Sequence, residues 1–163
     1  MYLMGKYEDL LIKYNHLYIE ESKNMPDHLS GMCVDGDIFI NSNRNITQQL
    51  EILAEEIAHY KLTHGNITND KEFNNRKFEN YARRYAKEQL ISLNDIINAF
   101  KHDIHNLYEL AQFFEVTEHY TLETLEYYKQ KYGLTTRHGK YVIQFEPLRV
   151  FEYKNLNQRG YVE

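Results

Sequence analysis

The stretch NITQQLEILAEEIAHYKLTH, residues 45–64, decides the fold. Leu50, Leu53, Ala54 and Ile57 recur at steps of three and four, which makes one apolar stripe and predicts a long helix. Asn45 and Gln48 have capping-box spacing at its start, and Gly65 supplies a left-handed stop. Just upstream, SGMCVDGDIFINSN (30–43) sets Asp35-Gly36 between two apolar runs. That dipeptide predicts a β-hairpin, because a type I′ turn needs positive φ at both central residues. Residues 6–16 carry Tyr7, Leu10, Leu11 and Tyr14 at helical spacing. Downstream, residues 71–91 read as a helix with Phe78, Tyr81, Ala82, Tyr85, Ala86 and Leu90 on one side. Three more helices are expected, over 93–101 with Ser92 as cap, 104–114 with Asp103, and 118–131 with Thr117 and a stop at Gly133. The tail KYVIQFEPLRVFEY (140–153) reads as extended. The expected class is α+β, with a small antiparallel sheet packed on the long helix and a C-terminal helical part. Residues 1–92 are expected to form the core, and 93–163 a helical part with a strand-like tail in the same compact unit.

Length and composition fit this reading. A chain of 163 residues with 42% hydrophobic and 26% charged residues buries roughly 70% of its unfolded surface and needs no cross-link to fold. One cysteine, Cys33, excludes a disulfide framework and a Cys-based zinc cluster. No run approaches the ~18 apolar residues of a membrane span, and MYLMGKYEDL lacks a signal-peptide pattern. The expected setting is a soluble, reducing cytoplasm. A net charge of −5 argues against a chain that holds nucleic acid by charge alone.

The chemistry concentrates in Glu55-Glu56-Ile57-Ala58-His59, which has the shape of the zinc-peptidase helix motif H-E-x-x-H with Glu55 in place of the first His. Residues four apart on a helix lie about 40° apart around its axis, so Glu55 and His59 point the same way and can share one ion. Glutamate is an accepted zinc ligand. Glu56 lies beside them, placed to take a proton from a water polarised by the ion. Glu55 and His59 fall opposite the apolar stripe, so a solvated helix face is the alternative. Ile52 and Leu62 lie near the same face, which implies that something covers part of it. A third ligand must come from elsewhere, and Glu79 is the leading choice. It lies 20 residues past His59 on the next helix, within about 20° of Ala86 and Leu90 on the wheel. A carboxylate there is costly unless it is paired or metal-bound. The alternative for Glu79 is an ion pair with Arg83 four residues on. His64 reads as a cap or surface residue, and His102 and His105 straddle a helix start. His16, His28, His119 and His138 have no partner in the pattern, and Cys33 reads as a small core residue.

The segments LEILAEEIAHYKLTHGNIT, RKFENYARRYAKEQLI and LYELAQFFEVTEHYTLETLEYYKQKYG, with the hairpin GDIFIN, resemble the phage and mobile-element branch of the ImmA/IrrE metallopeptidases over residues 5–133 or so. The resemblance implies a zinc-dependent endopeptidase that cleaves a repressor, with an anti-repressor role. It implies Glu55, His59 and Glu79 as metal ligands, Glu79 and Ala82 forming the E-x-x-A pattern, and Glu56 as general base. The departure is Glu55, where the family's usual residue is His. Two carboxylates and one imidazole leave an ion a weaker Lewis acid than two imidazoles and one carboxylate. Oxygen ligands also tilt the choice from Zn2+ toward Mn2+ or Fe2+. The expected partner is a protein substrate, a helix-turn-helix repressor, held as an added strand along Ile38–Ile40. Two other readings stand beside this one. The first is a degenerate peptidase fold that binds a regulator without cutting it. The second is direct DNA binding through the helix-turn-helix rhythm of 107–128, which Glu118, Glu123 and Glu126 oppose by their charge.

Overall fold

A computed structural model describes residues 4–64 and 75–153. The order is α1 (Lys6–Lys13), β1 (Ile19–Ser22), β2 (Gly31–Val34), β3 (Asp37–Asn41), α2 (Ile46–His64), α3 (Asn75–Leu90), α4 (Leu93–Lys101), α5 (Leu107–Phe114), α6 (Glu118–Tyr132), β4 (Thr135–His138), β5 (Tyr141–Phe145) and β6 (Leu148–Glu152). The class is α+β. The stop at Gly65 and the start of the helix over 71–74 lie outside the described residues.

The hairpin forms where its turn residues put it. Asp35 has φ 51° and Gly36 φ 92°, joining β2 and β3 in an antiparallel pair. The sheet is mixed rather than antiparallel throughout, because β1 adds to the other side of β3 in parallel. This corrects the expectation that Ile38–Ile40 offers an edge. That stretch is the central strand, and the edge strands are β1 and β2. Ile38 and Ile40 turn inward and are fully buried, against Leu50, Leu53, Ala54 and Ile57 of α2. Each of the Ile and Leu side chains contributes roughly 1.5–3 kcal/mol when removed from water.

The Asn45/Gln48 box is present. Gln48 N donates to Asn45 Oδ1 at 2.9 Å, and Asn45 N donates to Gln48 Oε1 at 3.4 Å. Ser92 and Asp95 make the same reciprocal pair at the start of α4. Thr117 caps α6, its side chain accepting from Tyr120 N, and Gly133 ends that helix at φ 86°. The helix expected from 104 starts at Leu107, capped by Asn106. Asp103 takes φ 57° in the turn that leaves α4. Both residue types favour caps and both tolerate left-handed backbone, so local preference does not choose between them.

On α3, Ala82, Ala86 and Leu90 are buried, whereas Tyr81 is largely exposed. The two alanines let α3 lie close along α2. The tail forms a three-stranded antiparallel sheet, β4-β5-β6. Its Ile143 and Phe145 join the same core, with Phe145 stacked on Tyr128 at 5.9 Å. Tyr128 in turn donates to Ile91 O at 2.7 Å, tying α6 to the end of α3. Among the described residues no helix is long and apolar enough to cross a membrane.

Candidate metal centre

Helices α2 and α3 bring Glu55, His59 and Glu79 together. One side-chain ligand atom from each lies within 4.8 Å of the others, the sole such group of three among the described residues. Glu55 and His59 share a face through their four-residue spacing, and α3 covers that face. Its Glu79 Oε2 stands 3.3 Å from His59 Nε2, and its Phe78 ring lies 5.5 Å from the imidazole. Arg83, the alternative partner for Glu79 within its own helix, engages α2 instead. Arg83 Nε donates to Glu55 Oε1 at 3.3 Å.

Glu56 is the buried member of the motif, 8% exposed. It points to the sheet side of α2, under β2. A Cβ placed on Gly31 would lie 2.5 Å from Ile52 Cγ2 and 3.1 Å from Glu56 Cγ and Oε1. Glycine at position 31 is what lets the edge strand lie against the helix at this point. The signal was in the sequence, since a glycine inside a strand marks close backbone approach. Burial, and then the nearby Glu55 and Glu79 charges, push the Glu56 carboxyl up to about 7. The Cys33 thiol on β2 is raised as well, by burial and then by Glu56.

A divalent cation fits this donor set. His59 Nε2 and Glu56 Oε2 are both buried and both lack a hydrogen-bond partner. The 3.3 Å approach of Nε2 to Glu79 is an ion-pair distance without hydrogen-bond geometry, and Nδ1 stands 3.6 Å from Glu56 Oε2, too far for a hydrogen bond. Buried polar atoms of native proteins are ordinarily paired. Two carboxylates and an imidazole converging on one point, with the imidazole nitrogen unsatisfied, is a donor set that a dication completes.

The other histidines lie elsewhere. His64 stacks on Tyr60 at 5.0 Å under the hairpin tip. His102 bonds Asn98 O, His105 packs on Phe100, His119 pairs with Glu123 and His138 bonds Asn94. His16 lies beside Tyr14, and His28 is exposed. Beside the centre, an open groove of about 820 Å³ runs between α2, α3 and α6, with Glu55, Arg83 and Tyr120 in its lining. Arg83, Phe78 and Gly31 are the neighbours of the centre that motif reading missed.

The helix pair, the convergence of Glu55, His59 and Glu79 and the covering sheet are consistent with a metallopeptidase-like fold. A family model described as Peptidase_M78, IrrE N-terminal-like domain, matches residues 13–126, and the chain belongs to that family. Comparison with curated proteins and with solved structures returned no match.

Proposed function

We propose that the protein is a metal-dependent endopeptidase acting on a protein substrate, a helix-turn-helix repressor of a phage or mobile element, in the cytoplasm. The observation that carries the hydrolase reading is the convergence of Glu55, His59 and Glu79 beside a buried glutamate with an unpartnered oxygen. Glu55, His59 and Glu79 hold the ion, Zn2+ first, with Mn2+ or Fe2+ as alternatives. When bound, such an ion supplies Lewis-acid polarisation of a peptide carbonyl and of water. Glu56 is the general base. Burial and the Glu55 and Glu79 charges raise its carboxyl when no ion is bound, and a cation held by those two groups draws it back down, favouring the carboxylate that accepts a proton. It takes a proton from the attacking water at Oε2 and returns it to the departing amine. Of the two edge strands, β2 is the one beside the centre, since its Gly31 brings backbone over Glu56. Added-strand binding there pairs one row of substrate backbone groups with β2 and leaves the other row free.

A second reading, binding without cutting, is favoured by one observation: Glu55 Oε1 already engages Arg83. One experiment separates the two. The wild-type protein takes up one equivalent of Zn2+ per chain, and His59→Ala and Glu79→Gln lose it. Glu56→Gln keeps the metal but loses roughly 10²–10⁴-fold in cleavage of a cognate helix-turn-helix repressor. Retention of the biological effect in Glu56→Gln establishes the binding reading, and absence of metal uptake removes the peptidase.

A further inference from the structure

We propose that Arg83 is the positioning residue for Glu55, the feature that lets a carboxylate serve where a His would otherwise stand. The inference rests on the reading that Glu55, His59 and Glu79 hold a divalent cation. The two helices are joined by two rungs. His59 Nε2 meets Glu79 Oε2 at 3.3 Å, and one turn away Arg83 Nε meets Glu55 Oε1 at 3.3 Å. Each helix supplies one rung end every four residues, so Glu55 and His59 on α2 face Arg83 and Glu79 on α3.

The need for the second rung follows from charge. A neutral imidazole in the first position adds no charge to the centre, whereas Glu55 adds a carboxylate near Glu56 and Glu79. Like charges drive it outward, and its side chain, 33% exposed, has an open groove to swing into. The guanidinium pins one oxygen and leaves the carboxylate's other oxygen for a cation.

Two effects of Arg83 on the cation oppose each other. Its positive charge repels a dication, but at 59% exposure that repulsion is damped by solvent and salt. Its hydrogen bond fixes the rotamer of a long flexible ligand, and this geometric gain is not screened. Removing a partner that orients a ligand weakens metal affinity by about 10–100-fold. Orientation therefore wins, and Arg83 strengthens cation binding. As an exposed pair it adds little to fold stability, which separates the two roles experimentally.

The test is a Zn2+ titration of the full chain against a chromophoric chelator. Arg83→Ala weakens Zn2+ affinity by roughly tenfold or more while the melting temperature stays close to wild type. Arg83→Lys, which keeps the charge and loses the Nε–H, recovers only part of the loss. Glu55→Ala weakens binding too, and adding Arg83→Ala to it costs less than about a further twofold, because Arg83 acts through Glu55. The inference is overturned by wild-type affinity in Arg83→Ala, or by an equal loss in the presence and absence of Glu55. Failure of the wild-type protein to bind Zn2+ is a different result, and it sinks the metal reading itself.

Discussion

Glu51 and Glu56 stand five residues apart on the same helix and meet opposite fates. Both are withdrawn from water, and burial raises the carboxyl of each. Glu51 faces α6, where its Oε1 accepts a hydrogen bond from Thr117 N at 2.7 Å. That amide is at the N-terminus of α6, where backbone donors lack helical partners and the dipole favours an anion. Glu56 faces the hollow under β2, and its Oε2 accepts from nothing. The α2–α6 junction therefore satisfies its carboxylate and is structural. Around the centre, a carboxylate oxygen on the β2 side of α2 and an imidazole nitrogen on its α3 side are left unsatisfied, a cost to folding that a bound dication offsets. Residue type and helix are shared and both side chains are drawn from water, Glu51 half-buried and Glu56 buried; the partner is what sets them apart.

The largest effect comes from removing the unsatisfied charge. Glu56 has an unfolded carboxyl near 4.5 and a folded one at about 7 in the metal-free protein. Between those values the native state binds the extra proton, so stability is full below about pH 4.5 and is lost as pH rises through 7. Above pH 7 the penalty is on the order of 3 kcal/mol. In chelator-stripped protein, Glu56→Gln is therefore more stable than wild type at pH 8 by about 1–3 kcal/mol, and the two converge toward pH 4.5. Urea melts at both pH values check this. A destabilised Glu56→Gln at pH 8 would mean that the hollow already satisfies the carboxylate, and the contrast with Glu51 would be gone.

Gly31→Ala probes the same hollow from the strand. The new methyl meets Ile52 at 2.5 Å and Glu56 at 3.1 Å, so the strand or the helix must shift. The expected loss is about 1–3 kcal/mol, typical of overpacking, with weakened Zn2+ uptake as the shift reaches His59 through α2. A melting temperature equal to wild type would show that β2 has room to move, and that its closeness does not shape the centre.

Much of the fold was legible in the sequence, where local chemistry carries the information, but the Glu51 side of this contrast was not. Asp35-Gly36 announced its turn, and Asn45/Gln48, Ser92 and Thr117 announced their helix starts. Each acts within three or four residues, and the φ values and caps agree. The motif spacing likewise put Glu55 and His59 on one face, and the apolar side of the next helix pointed to Glu79. What escaped reading depends on contacts far apart in the chain. β1 is four residues with two exposed glutamates, and its parallel pairing with β3 has no local signature. That pairing is what turned Ile38–Ile40 from an expected edge into the centre of the sheet. Arg83 had two carboxylates in reach. The one four residues away in its own helix was the alternative the sequence left open, and with Glu79 turned toward His59 Arg83 pairs with Glu55. Asp103 and Asn106 offered the same cap chemistry three residues apart, and the path of the chain out of α4 selected the later one.

Glu51→Ala should act in the opposite sense to Glu56→Gln. It leaves Thr117 N without its acceptor in a half-buried junction, at a cost of about 1–2 kcal/mol, while Zn2+ uptake remains that of the wild type. Stability gained on removing Glu51, or metal lost with it, would erase the distinction between the two junctions.

The smallest effect tests whether the structural junction behaves as a unit. Thr117 Oγ1 accepts from Tyr120 N at 3.1 Å, one turn from the amide that Glu51 binds. Thr117→Ala removes this cap and costs about 1 kcal/mol. The two acceptors serve neighbouring donors of one helix end, so the double variant with Glu51→Ala should lose less than the sum of the single losses. Once the end of α6 has frayed, its second acceptor has less to hold. Strict additivity in urea melts would mean that Glu51 supports α2 rather than α6. The structural role would then need a different partner, although the unsatisfied state of Glu56 would stand unchanged.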